Sequence, residues 1–174
     1  MSKLTFDESG MLFGPFESSQ VFAVEKFIQS KCPLSRCVEF LLFQGDKAIF
    51  LEAKSSSPQN SKDLNEKYLP SIVEKLSDSL HLVASDSMKN LSESDPQLDS
   101  LKNRVWDKIS ICLYVVVKGA AKEDLGKLQD KFSAYIPLRK LRKIWSPKRT
   151  DWIKVINEVK ARDMGLISDG NVDS

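Results

Sequence analysis

The stretch Val38-Glu39-Phe40-Leu41-Leu42-Phe43-Gln44-Gly45-Asp46-Lys47-Ala48-Ile49-Phe50-Leu51-Glu52-Ala53-Lys54 decides the fold. Two runs rich in Val, Leu, Ile and Phe flank Gly45-Asp46 and read as strands. Gly-Asp at the two central positions is a two-residue hairpin signal, with glycine supplying the positive φ of a type II′ turn. Each run is apolar on both faces apart from a few charges, the pattern of a sheet covered on both sides. A turn centred between Gly45 and Asp46 sets Glu39 directly opposite Glu52, with Cβ atoms about 4.5–5.5 Å apart. Lys54, two residues beyond Glu52, falls on the same face because strand side chains alternate.

Upstream, Leu4 to Phe16 carries two short apolar stretches around Ser9-Gly10 and predicts a small hairpin. Ser18 and Ser19 cap a helix with Val21, Phe22, Val24, Phe27 and Ile28 on one face, an extended Val21 to Glu25 being the alternative. Cys32-Pro33 ends it, since the residue before proline avoids the α region. Downstream, Ser55 to Lys62 reads as a loop. Leu69, Ile72, Val73, Leu76, Leu80 and Val83 repeat at the helical period, with Pro70 opening or kinking that helix. Ser85 to Ser100 is polar and reads as a loop with some helical turns. Ile109 to Lys118 is a third buried strand, stopped by Gly119. Lys122 to Lys143 is helical and interrupted at Pro137, Trp152 to Asn157 is a short strand, and Glu158 to Met164 a closing helix. The expected fold is α/β, a mixed β-sheet with a central antiparallel hairpin flanked by helices. Residues 1–167 form one α/β domain, and 168–174 a flexible tail.

The chain has 174 residues, 41% hydrophobic and 29% charged, which excludes a wholly disordered chain, a fibre and a membrane span. The acidic start lacks the apolar segment of a secretory leader, and the cysteines number three, Cys32, Cys37 and Cys112. Reduced thiols and a cytoplasmic setting are expected. His81, the single histidine, leaves too few ligands for a tetrahedral zinc site and fits a structural position on a helix. No glycine-rich phosphate loop and no Gly-x-Ser-x-Gly turn is present, and Cys37 and Cys112 lack a partner base. Net charge is +2, but Ile136 to Arg162 holds nine basic residues against Asp151 and Glu158, a local +7 that leaves −5 for the rest. Arg139, Lys140, Arg142, Lys143, Lys148 and Arg149 are therefore either candidate contacts to a nucleic-acid backbone or a solvated face. Trp145 and Trp152 beside them either stack on bases or pack in the core.

Two glutamates facing each other on a covered sheet repel. A proton on one of them, a salt bridge from Lys54 to both, or a divalent cation between them relieves the repulsion. At Glu39 and Glu52-Ala53-Lys54 the sequence resembles the restriction-endonuclease-like PD-(D/E)XK nuclease superfamily. Its pattern is an acidic residue on one strand followed by Asp or Glu, any residue and Lys on the next. Order of elements extends the likeness over roughly Ser18 to Lys118. Proline before Glu39 is missing, and glutamate replaces the commoner aspartate. The resemblance implies a restriction-endonuclease-like fold and Mg²⁺ or Mn²⁺ held by Glu39, Glu52 and the Ala53 carbonyl. It also implies catalysis by Glu39, Glu52 and Lys54, joined by Glu25 from the first helix. The expected activity is metal-dependent hydrolysis of phosphodiesters in DNA or RNA. The alternative is a non-catalytic protein- or nucleic-acid-binding protein on the same fold.

Overall fold

The computed structural model describes residues 2–89, 96–101 and 104–168. Its centre is a five-stranded mixed sheet in the order β3 (Val21–Phe22), β4 (Phe40–Gln44), β5 (Lys47–Lys54), β6 (Ser110–Val117), β7 (Ile153–Asn157). The β3–β4 and β4–β5 pairs are antiparallel, whereas the β5–β6 and β6–β7 pairs are parallel. Gly45 has φ +57°, and Gln44 pairs with Lys47, so the two-residue turn sets the register. Phe40 then pairs with Leu51, and Leu41 with Phe50.

The strands are apolar on both faces because both faces are covered. β1 (Lys3–Glu8) and β2 (Met11–Glu17) form a separate two-stranded hairpin. Its Phe6, Phe13 and Phe16 pack on Phe40, with the Phe6 and Phe40 rings stacked at 4.8 Å. Leu42, Ile49, Leu51, Ala53, Tyr114 and Val116 complete that side. On the other side Leu41, Phe50, Leu113, Val115 and Val155 meet α1 (Val24–Lys31), α3 (Leu69–Lys89), α4 (Lys122–Ala134) and α5 (Ile136–Trp145). Short α2 (Ser61–Asp63) precedes α3, and α6 (Glu158–Asp163) follows β7.

The first helix starts later than the serine cap predicts. Val21 and Phe22 are extended and pair with Leu42 and Leu41, and α1 opens at Val24. Val21 packs on the hairpin side of the sheet and Phe22 on the helical side, a division that a two-residue period permits and a helix does not. The loop after β5 closes earlier than predicted, because the Asn60 side chain accepts from Asp63 N–H at 2.9 Å and caps α2. Pro70 stands in the opening turn of the long helix, as the second residue of α3. A π-helical turn over Leu64–Tyr68 precedes it, and a widened turn accommodates the missing N–H. α3 continues to Lys89, into the stretch expected to be a loop, and Pro96–Leu101 is a 3₁₀ turn with Leu98 and Leu101 buried. Between α1 and α3 lie two strands, β4 and β5. Of the expected tail, Ser168 donates its N–H to Leu12 O, and residues 169–174 lie outside the described residues. Among the described residues no helix is long and apolar enough to cross a membrane.

Candidate active site

The hairpin register ends at Phe40 and Leu51, and Glu39, the residue just before β4, reaches with its side chain to Lys75 beside Glu52 on the helical face of the sheet. The Glu39 backbone is held from two sides. Its N–H donates to Leu51 O, and its carbonyl accepts from Glu25 N–H in the first turn of α1. Ser79 ties α3 to the same place: its hydroxyl accepts from Val38 N–H at 3.0 Å and donates to Lys75 O at 2.7 Å. That double bond sets the Lys75 side chain beside Glu39 and Glu52.

Glu52 is 0% exposed and Glu39 8%. Between them sits the ammonium of Lys75, itself 15% exposed. Its Nζ lies 2.9 Å from Glu52 Oε1, 3.1 Å from Glu52 Oε2 and 3.4 Å from Glu39 Oε1, with Glu25 Oε1 at 3.9 Å. Lys54 Nζ is 3.0 Å from Glu52 Oε1 and lies over the Tyr68 ring, 5.4 Å from its centroid. Lys54 is thus paired to Glu52, while Lys75, and not Lys54, bridges the two glutamates. Glu39 takes the protonated route as well. Burial, a hydrogen bond with Glu25 and the charge of Glu52 push its pKa up to about 9. Burial likewise raises Glu8, at the end of β1, against the opposing charge of Lys26. Glu8, Glu25 and Glu39 each offer an oxygen within 4.8 Å of one another. Tyr68, from the π turn, donates to Ser56 O at 3.3 Å, and burial raises its pKa.

Ala53 faces the hairpin side with its methyl group. Leu51 O accepts from Glu39 N–H on the β4 edge of β5, so by alternation the Ala53 carbonyl points to that edge too. The cluster therefore gathers Glu39, Glu52, Lys54 and Glu25, the residues expected from sequence, and adds Lys75, Glu8 and Tyr68. Lys75 had one sequence signal: it sits beside Ser79 on the inward side of an otherwise apolar helix stripe, and Ser79 is fully buried. Glu8 had none, since its approach depends on how the terminal hairpin packs. Lys118 Nζ donates to Gly10 O at 2.9 Å and anchors that turn to the end of β6.

The basic segment lies elsewhere. Arg139, Lys140, Lys143 and Lys148 are exposed. Arg142 donates to Arg149 O, and Arg149 forms a two-pronged pair with Asp151 at 3.1 and 3.2 Å. Ser146, just after α5, donates to Ile111 O at the start of β6, whereas Glu52 and Lys54 pair with Val115 and Val117 at its end. Six strand residues separate these points, about 20 Å. Trp152 is buried and Trp145 packs against the core, so both follow the packing alternative. Cys32, Cys37 and Cys112 are free thiols, and burial pushes Cys37 up to about 11. His81 is exposed on α3.

No family model, no curated protein and no solved structure matches the chain.

Proposed function

We propose that the chain is a divalent-cation-dependent phosphodiesterase acting on nucleic acid, on a restriction-endonuclease-like variant of the mixed α/β sheet. The observation that carries this reading is the cation slot itself. Glu52 and Glu39 direct three carboxylate oxygens at one positively charged nitrogen, at 2.9–3.4 Å. A position that already accepts an ammonium in oxygen surroundings suits a hard cation, which prefers oxygen ligands. Glu39, Glu52 and the Ala53 carbonyl would hold Mg²⁺ or Mn²⁺. When bound, such an ion lowers the pKa of a water and offsets charge on the phosphate. Lys54, 21% exposed and paired to Glu52, would orient the attacking water or offset charge on the transition state. Glu25, on the α1 side, orients Glu39 through their shared hydrogen bond.

Lys54→Ala is expected to keep the fold and its cation affinity while lowering turnover about 10²–10³-fold, the usual effect of removing one transition-state donor. Cleavage of single- and double-stranded DNA and RNA with Mg²⁺ or Mn²⁺, alongside calorimetry, measures both. Cleavage of none of the four substrates by the wild type would remove the catalytic assignment.

A second reading, a non-catalytic binding protein, is favoured by Lys75, which ion-pairs with both glutamates with no metal. The exposed cations of α5 serve either reading as backbone contacts. Reversing Lys140 and Lys143 to glutamate is expected to weaken nucleic-acid binding alike for all sequences and to reduce its salt slope by about one per lost contact. An unchanged slope would make this face solvated surface only. These two positions suit the test better than Arg142, whose guanidinium supports the Arg149 backbone.

A further inference from the structure

Lys75 has no part in the superfamily pattern, yet its ammonium makes the closest contacts in the cluster. It approaches both oxygens of Glu52 and one of Glu39, and its helix is pinned by the buried Ser79 bond to Val38. Its position coincides with the point where Glu39 and Glu52 would hold a divalent ion. Two cations cannot share that point. We propose that Lys75 is a built-in competitor for the cation site: its ammonium occupies the point between Glu39 and Glu52 in the metal-free protein and swings out when a divalent ion binds. This rests on the cation-dependent reading above.

The side chain has somewhere to go. It is 15% exposed and already within 3.9 Å of Glu25, whose carboxylate is more open. A lysine stem is long and flexible, and its head can move several ångströms while the stem stays packed. The displaced ammonium then lies on the solvent side of the cluster, where a bound phosphodiester would present its oxygens. Lys75 thus acts as a positioning residue that sets cation affinity and couples it to the arrival of an anionic substrate.

The test uses the full chain and Mn²⁺ alone. Lys75→Met keeps the stem length without the charge. Calorimetric affinity for Mn²⁺ is expected to tighten about tenfold or more in this variant, because one buried competitor is gone. Binding by Lys75→Met where the wild type shows none supports the proposal equally. Wild-type binding that the substitution leaves unchanged or weakens overturns it while leaving the cation site in place. Absence of binding in both proteins overturns the proposal and the cation reading together. A second measurement needs no variant. Amine acylation of the wild type, followed by peptide mass analysis, is expected to label Lys75 slowly without Mn²⁺ and at least about fivefold faster with it. Equal labelling rates at saturating Mn²⁺ overturn the displacement.

Discussion

Replacing Glu52 with alanine is expected to cost about 3–5 kcal/mol of stability, the usual effect of removing one partner from a buried charge pair. No other charged side chain among the described residues is as fully buried. Its loss leaves the Lys54 and Lys75 ammonium groups, which now approach one Glu52 oxygen at 3.0 and 2.9 Å, facing each other with no anion between them. For a chain of this length the melting temperature falls by about 10 °C or more. Mn²⁺ binding and nucleic-acid cleavage disappear together, because the same side chain supplies two of the three oxygens aimed at the cation slot. Urea unfolding and calorimetry on one preparation separate the two losses. The double variant Glu52→Leu with Lys75→Met is the informative control. Removing both members of a buried pair is often nearly neutral, and Lys54 can turn its head to water. The double variant is therefore expected to regain most of the lost stability and none of the cation binding. If Glu52→Ala alone unfolds within about 1 kcal/mol of wild type, the pair is not held as described.

The hairpin shows why part of this site was legible. Gly45-Asp46 fixed a two-residue turn, a two-residue turn fixes the register, and the register sets Phe40 opposite Leu51, which leaves Glu39 one residue before β4 and within reach of Glu52. Each of these steps is local, and sequence contains local geometry. The start of α1 was less legible because Val21 and Phe22 satisfy the apolar requirement of a helix face and of an edge strand equally. The π turn before Pro70 was hidden for a related reason: proline announces a defect in helical hydrogen bonding, and the way the turn absorbs it depends on packing. Lys75 was missed because its partners are 36 and 23 residues away and lie across a layer. Only the packing of α3 on the sheet, fixed by Ser79 and Val38, converts that lysine into a site residue. The basic segment illustrates the reverse. Its charge excess was visible in the sequence, but the fold distributes it along α5 and into the Arg149–Asp151 pair, partly at the far end of the sheet.

Stability is expected to fall as pH rises from about 4.5 to 9, and Glu39 is the principal cause. Burial and its two acidic neighbours hold its pKa at about 9 in the folded chain, against about 4.3 for a solvated glutamate. Across that window the folded state keeps a proton that the unfolded state has released. The folded state is therefore favoured fully below about 4.5, and the advantage is spent by about pH 9, with a slope near 1.4 kcal/mol per pH unit. Glu8, raised by burial, adds a contribution of the same sign at the acidic end. Burial works against the Lys75 charge, but the Glu52 carboxylate outweighs it and holds the ammonium above its ordinary value, so Lys75 stays charged in both states throughout the window and does not cancel the slope. Glu39→Gln keeps the shape and the hydrogen-bonding capacity and removes the titration. Urea midpoints measured between pH 5.5 and 8.5 are expected to drop in the wild type, and in Glu39→Gln that drop shrinks by about 2–4 kcal/mol. Parallel pH profiles for the two proteins would show that Glu39 is ionised in the folded chain. The same proton bears on the proposed chemistry, because a cation prefers Glu39 as a carboxylate. Mn²⁺ binding at neutral pH must then release close to one proton, read as a dependence of the calorimetric heat on the ionisation enthalpy of the buffer. In Glu39→Gln that dependence is expected to vanish along with much of the affinity, which separates a carboxylate that yields its proton to the ion from one that merely neighbours it.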